Sequence, residues 1–547
     1  MLRNYLTIAL RNLARNPTYS LINIGGLAVG IACSLLICLW VWHELSFDRF
    51  HKNAAELGIL VTINKFSDQT TARRRAPLPA YEYLKSYDSR IKNTCISHES
   101  GDQLLKVGDK VVFSEGKYVG PEFLSMFQFP LIRGSAQKAL TEPGSIVITE
   151  AVAKELFGDK DPMGQFIQMD NKFEMKVTGV LKNLPTNSSF AFDFLFPWSS
   201  VVAASPEWIK ENSNWENEAY QIYIETQPGA SLAEVNQSLT KLIREKRGNE
   251  NQSELVIYPL LDWRLRSGNF VNGKIAGGMI DYVKSFSLIG LLILIIAAIN
   301  FMNLATARSE HRAREVGIRK AVGSSRVELI RQFLGESILM TALAFFVALI
   351  LVQIALPFFN NLVEKQLFIN YASPIAWAIA VGFILMLGAF SGSYPAFYLS
   401  SFSPHKVLKG TLHVGRSNVA PRKFLVTAQF LVSIFLIVAM ITIYRQIQYV
   451  KSRDIGYDPK DLVMLNANDE MIKNYPEIER QLLAAGIATS IAVSGSPVTD
   501  IYRSSTLDWP GRPEGLEISF SQVMTGYNYA RTMGIKVVEG RDFTDEL

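Results

Sequence analysis

Five long stretches of the chain carry no Asp, Glu, Lys or Arg: residues 16–42, 285–307, 337–363, 366–404 and 424–444. A bilayer core about 30 Å thick takes roughly 20 apolar residues in a helix, and a charged side chain at its centre costs a few kcal/mol. Each stretch therefore predicts a membrane span, and we place them at 20–42, 283–307, 333–357, 374–398 and 424–444. Pro374 suits the first turn of the fourth, where its missing N–H leaves nothing unsatisfied. Residues 43–282 read differently, with short β-branched runs, Gly and Pro turns and amphipathic helices in an α+β pattern. Within them, 145–149 predicts a strand, 150–157 a short helix, 158–164 a turn, and 166–169 and 175–180 two more strands. Residues 445–547 predict part of a second domain of this kind.

The short connections fix an orientation. Arg3, Arg11 and Arg15 precede the first span; Arg308, Arg312, Arg314, Arg319, Lys320, Arg326 and Arg331 lie between the second and third; Lys406, Lys409, Arg416, Arg422 and Lys423 lie between the fourth and fifth. These connections are expected on the cytoplasmic side, which puts the N-terminus inside and both long segments outside. The first apolar run is longer than the core of a secretory signal, and no small-residue cleavage pattern follows Trp42. Residues 1–19 alternate Leu2, Leu6, Ile8, Leu10 and Leu13 with the three arginines, which predicts an amphipathic helix on the inner membrane surface. The expected fold class is a polytopic α-helical membrane protein with α+β exported (periplasmic) domains.

Composition adds exclusions. Hydrophobic residues make up 48% of the 547, charged residues 19%, and the net charge is +5. The basic residues sit between apolar segments and form no face that could follow a phosphate backbone, so nucleic acid is not an expected partner. The three cysteines offer no disulfide framework or CxxC pair. No HExxH, no nucleophile beside a base and no paired carboxylates appear, so no catalytic or metal residues are assigned and the chain is not read as an enzyme. Glu44, Asp48 and His51 would share a face if the first span continued as a helix, but they are read as a polar collar at the membrane exit, with Phe47 and Phe50 as apolar anchors. Inside the spans, Asn300 and Asn303 are expected to face another helix. Gly26 and Gly30, with Ser34 a turn further, are expected to form a small-residue contact face.

Residues 296–337 read IAAINFMNLATARSEHRAREVGIRKAVGSSRVELIRQFLGES. A short charged helix is expected at 313–321, closed by Gly323, with Ser324 or Ser325 capping a helix that runs into span three. The order REVGIRKAVGSSR resembles the cytoplasmic coupling helix of the MacB/FtsX-like ABC permease family. GSIVITEAVAKELFGDKDPMGQFIQM with KVTGVLKNLPTNSSFAFDFLFPW, residues 144–198, resembles the periplasmic core of the same family, and HELSFDRFH at 43–51 resembles the exit from its first span. The resemblance implies an FtsX-like permease domain at 283–410. It also implies a coupling helix, 313–323, whose Arg314, Glu315, Gly317, Arg319, Lys320 and Gly323 meet a nucleotide-binding subunit through a charged face. No GxxxxGK[ST] loop occurs in the sequence, so no cofactor is assigned; a separate cytoplasmic ABC ATPase is the expected partner and binds the ATP. The expected function is coupling of ATP hydrolysis to movement of the periplasmic domains, for export or release of an amphiphilic substrate. A membrane-fusion or other periplasmic protein would be a further partner. The alternative is a scaffold that transmits force to a periplasmic partner without moving a substrate.

Residues 119–134, VGPEFLSMFQFPLIRG, align without gaps on 525–540, TGYNYARTMGIKVVEG, at an offset of 406, so that Gly120 meets Gly526 and Gly134 meets Gly540. The same offset lays the first span on the fifth. A tandem duplication is expected, in which the second copy stops early; a complete chain would hold about 800 residues and eight spans.

Overall fold

The computed structural model describes residues 17–544 apart from 66–69, 249–252, 267–269, 272–273, 276, 308–315, 402–419, 502, 514–515 and 517. The expected amphipathic helix before residue 17 therefore lies outside the described residues. The chain divides into two compact units: one holds the spans, up to Phe47 and again over Gly277–Ile447, and the other holds Asp48–Ala276 and Gln448 onward.

Among the described residues, five helices are long and apolar enough to cross a membrane. They run over Pro17–Leu45, Met279–Ala307, Arg326–Val363, Pro374–Ser400 and Ala420–Ser452. The third exceeds its expected length because it begins before the apolar stretch, as one unbroken helix of 38 residues, about 57 Å at the usual rise. Its start is fixed by a capping box: the Ser325 hydroxyl accepts from the Glu328 N–H, and the Glu328 carboxylate accepts from the Ser325 N–H, so two of the orphan donors of a helix start are satisfied. Span four starts at Pro374 behind Ser373, whose hydroxyl accepts from the Ala376 N–H. The first span packs on the second and third, and the third on the fourth. Their shared core is rich in small residues, with Ala28, Ala297, Ala298, Ala344 and Ala348 between Leu27, Ile31 and Phe301; close backbones give the dispersion contact that replaces a hydrophobic driving force in lipid.

The exported domain runs β1 (Leu57–Lys65), β2 (Thr70–Arg73), α1 (Leu78–Tyr87), β3 (Ile91–Val107), β4 (Lys110–Val119), α2 (Phe123–Phe127), β5 (Leu131–Arg133), β6 (Ser145–Thr149), α3 (Glu150–Phe157), β7 (Phe166–Met169) and β8 (Phe173–Leu181). It continues with β9 (Phe194–Pro197), α4 (Trp198–Ala204), α5 (Pro206–Asn212), β10 (Gln221–Thr226), α6 (Leu232–Arg247) and β11 (Glu254–Pro259). Its strands form one sheet in the order β11-β1-β10-β3-β4-β9-β6-β8-β5, with β2 beside β1 and β7 beside β3 and β8. β1 is buried over Leu57–Ile63 on both faces, as a strand covered on two sides should be. Above it lies an aromatic core of Phe123, Phe127, Phe129, Phe190, Phe192 and Tyr223; below it α1 and α6 bury Tyr81, Leu84, Val235, Leu239 and Leu242.

The helix of span one ends at Leu45, and Asp48 turns the chain with φ +58°, so Glu44, Asp48 and His51 do not share a helix face. No group of three or more His, Cys, Asp or Glu side chains among the described residues is placed to hold a metal. Asp48 instead pins the root of the exported domain: its carboxylate accepts from the Ser189 N–H at 2.7 Å, while burial pushes the carboxyl up from the ordinary range. The His51 ring packs among Phe50, Phe127, Phe129 and Phe190. Phe47 is buried, whereas Phe50 is exposed.

Local geometry of the first domain recurs near the C-terminal end. The ten-residue α1 begins Leu78-Pro79, and a ten-residue helix begins Tyr475-Pro476, 397 positions on. Gly120 N–H donates to Ile96 O at 2.8 Å, and Gly526 N–H donates to Val493 O at 2.8 Å. The five-residue α2 has its counterpart at Tyr529–Met533, 406 positions on. Both short helices close on a left-handed residue, Gln128 at φ +51° and Gly534 at φ +66°, and Gly134 and Gly540 repeat a second positive φ at +94° and +86°.

Candidate functional site

The site is built at the end of the bundle where spans three and four carry their polar residues. Residues 316–321 form a short helix, residues 322–323 turn, and Gly323 has φ +106°, a conformation that only glycine adopts without strain. Arg314 and Glu315 lie outside the described residues. Gly317 is buried. Val316 is buried too, packed on Leu329 and Phe333 of span three and on Ala396 and Leu399 of span four.

Of the expected charged face, Arg319 and Lys320 are half-buried and reach inward to spans three and four. Arg319 Nη1 donates to Gln332 Oε1, and Gln332 Nε2 donates to Glu336 Oε1 at 3.3 Å, which leads from the guanidinium to a buried carboxylate on span three. Lys320 Nζ donates to the carbonyl of Ser400, at the end of span four, at 2.6 Å. A lysine there meets the negative end of a helix dipole and one of its orphan carbonyls. Arg326 Nε reaches Ser400 Oγ at 3.5 Å. Thus the short helix is tied by charge to spans three and four at once, while Ile318, Val322 and Val327 stand exposed. Sequence reasoning missed Gln332, Glu336 and Ser400; the available signal was Glu336, an ionisable residue at the mouth of an apolar span.

The packing residues fall on two helix pairs. A Cβ on Gly30 would collide with Ala297, and one on Gly26 would touch Asn300 Nδ2 at 3.4 Å; Ser34 Oγ donates to Gly290 O at 2.9 Å. Asn303 Nδ2 donates to Gln429 Oε1 on the fifth span at 3.4 Å. A second glycine pair went unread: a Cβ on Gly388 would lie 2.7 Å from Ile338 Cα, and one on Gly392 would lie 2.6 Å from Ser337 Cβ. Its G-x-x-x-G spacing within an apolar helix was the signal.

Residues 20–242 match the family model of the MacB-like periplasmic core domain, and residues 287–404 match the FtsX-like permease C-terminal domain. The chain is a multi-pass membrane protein of the MacB/FtsX-like ABC permease family, with a periplasmic core and a permease domain in that order. It is similar to a macrolide export ATP-binding/permease protein MacB of Bdellovibrio bacteriovorus, 25% identical over 414 residues, 73% of this chain and 60% of that protein. An uncharacterized ABC transporter permease, YknZ, of Bacillus subtilis is 23% identical over 266 residues, 48% of this chain and 61% of that one. The chain thus spans about 60% of the length of these relatives. The crystal structure of the periplasmic region of MacB from Actinobacillus actinomycetemcomitans aligns with 38% of this chain and 94% of its own, at 18% identity and a TM-score of 0.29.

Proposed function

We propose that this chain is the membrane subunit of an ABC transporter whose ATPase docks, from the cytoplasm, on the helix at 316–321. The arrangement that carries the reading is the double tie of that helix, through Arg319 to span three and through Lys320 to span four. A push on the exposed Ile318 and Val322 reaches two spans together and, through the rest of the bundle, the exported domain. In this reading Arg319 and Lys320 position the helix, the apolar residues meet the ATPase, and Gly317 permits close packing. The N-terminus is cytoplasmic, and the motion serves export or release of an amphiphilic substrate; the MacB relatives are named for macrolide export. Co-purification in mild detergent tests it: the chain should bring down an ABC ATPase, and Ile318→Asp with Val322→Asp should lose that subunit while the permease still accumulates in the membrane. Retention of the ATPase by the double variant would overturn the docking surface.

We also infer that the chain repeats one permease unit in tandem. The recurring helices, the shared Gly120 and Gly526 hydrogen bond and the paired positive-φ residues support it, as does Asn23 falling on Gln429 at the offset of 406. Two fused halves would dock two ATPase subunits without a second permease chain. Mass measurement of the complex showing two permease chains would contradict this.

A further inference from the structure

Asn23 lies in span one with 2% of its surface exposed, and neither its amide nitrogen nor its amide oxygen has a hydrogen-bond partner among the described residues. A buried amide in an apolar span is costly unless another polar group meets it. The packing of the first two spans shows which group is nearest to hand. Asn23 precedes Gly30 by about two helical turns and so shares its face. On that face Gly30 meets Ala297, Gly26 meets Asn300, and Ser34 Oγ donates to Gly290 O, so the two spans run antiparallel. One turn further along the same contact, Asn23 falls level with Asn303.

Asn303 is engaged elsewhere. Its Nδ2 donates to Gln429 Oε1 on span five at 3.4 Å, longer than an ordinary N–H···O bond. Among the described residues this is the one side-chain hydrogen bond between span five and the other spans, and no side chain between Phe424 and Tyr444 is buried. Span five is thus held by a weak polar tie, and its partner in that tie stands beside an amide with both groups unsatisfied. At the offset of 406, Gln429 occupies the position in the fifth span that Asn23 occupies in the first, so two equivalent amides are addressed to one Asn303.

We propose that Asn303 is a latch shared between two partners: here it holds span five through Gln429, and in a second state it turns to Asn23 and releases span five. An asparagine amide donates and accepts at once, so Asn23 and Asn303 can exchange two hydrogen bonds in place of the single long one. Amide bonds between membrane helices shift an equilibrium only about three- to tenfold, so neither state excludes the other. The latch goes beyond the docking of an ATPase and needs none, so the two readings stand or fall separately.

Double electron–electron resonance between spin labels at Leu288 on span two and Ile441 on span five, both exposed positions, reads the latch directly. The full chain is held in lipid nanodiscs with Cys33 and Cys38 replaced by Ala. Two distances should appear, the shorter from the Gln429 bond and the longer from its release. Asn23→Ala removes the competitor and should raise the ratio of short to long about three- to tenfold. Gln429→Met, similar in length but without an amide, should lower the ratio by a similar factor. In the Asn303→Leu background the effect of Asn23→Ala should vanish, which a merely structural role for Asn23 would not produce. A single distance that no variant changes, shifts of Asn23→Ala and Gln429→Met in the same direction, or an effect of Asn23→Ala that survives Asn303→Leu would overturn the proposal.

Discussion

Gly26, Gly30 and Ser34 press the first span onto the second, whereas the positions 406 residues further on, in the fifth span, are Val432, Leu436 and Met440. A third of the most apolar window of span one is buried within the chain, and none of that of span five. The same contrast continues beyond the spans. The helix α1 buries Leu78, Ala80, Tyr81 and Leu84, while its counterpart at Tyr475–Ala484 buries no side chain. Helix lengths, the left-handed residue that closes the short helix and the positive φ six residues on recur in both regions; burial does not. Short-range sequence is enough to set a helix and its cap, but burial needs partners far along the chain. For α1 these are β10, α6 and β11, which supply Ile222, Leu239 and Leu255.

Cutting a core side chain should break this contrast most visibly. Leu84→Ala removes a fully buried side chain and should cost about 2–5 kcal/mol, read as a fall in the denaturant midpoint of the exported domain. Gln481→Ala, at the equivalent and exposed position, should stay within about 0.5 kcal/mol. Equal losses at the two sites would mean that the second helix is buried as the first is.

The spans offer a smaller effect of the same form. Gly30→Ile forces a branched side chain against Ala297 and should destabilise the bundle by about 1–3 kcal/mol, lowering the temperature at which the detergent-solubilised protein loses its monodisperse peak. Leu436→Ala should shift that temperature little, about 0.5 kcal/mol or less. The reverse order would show that span five, not span one, makes the tight contact.

The smallest predicted effect comes from a charge that one region has and the other lacks. Asp88, at the C-cap of α1, pairs with Arg90 at 2.7 Å and accepts from Ser238, and the Arg90 hydrogen bonds hold its carboxyl down at about 2; its counterpart is Ala485. Because the folded value lies below that of the unfolded chain, the stabilisation is present above about pH 4 and is lost as the pH falls toward 2. Asp88→Asn should therefore cost about 1 kcal/mol at pH 7, given a partner a third exposed, with the difference vanishing near pH 2. A loss of equal size at both pH values would assign the effect to the hydrogen bonds alone.

Much of this architecture was legible from charge-free runs, because bilayer thickness constrains a span more tightly than any soluble packing does. The membrane span was placed from 333 because Arg326, Glu328 and Arg331 interrupt the apolar run, while the helix that carries it starts at Arg326 behind Ser325, as its capping signal predicted; hydropathy marks the membrane and not the helix. The strands at Ser145–Thr149 and Phe166–Met169 were legible from their β-branched and turn residues, but the order of the sheet, with β9 between β4 and β6, rests on pairings far apart in sequence. In the candidate site, the cap and the turn at Gly323 were legible because each is local. The inward course of Arg319 and Lys320 was not, since it depends on Gln332 and on the Ser400 carbonyl, a residue 80 positions from Lys320.

The central claim, that residues 316–321 tie two spans inward and present an apolar edge to an ATPase, is tested most directly by crosslinking from single positions. A photoreactive amino acid replaces Val322, Ile318 or Gln332 in the complex, and the partner of each adduct is identified after irradiation. Adducts from Val322 and Ile318 to the nucleotide-binding subunit, with adducts from Gln332 only to this chain, are the predicted result. Adducts from Val322 and Ile318 to lipid or to this chain alone, with the ATPase present and bound, would contradict the claim.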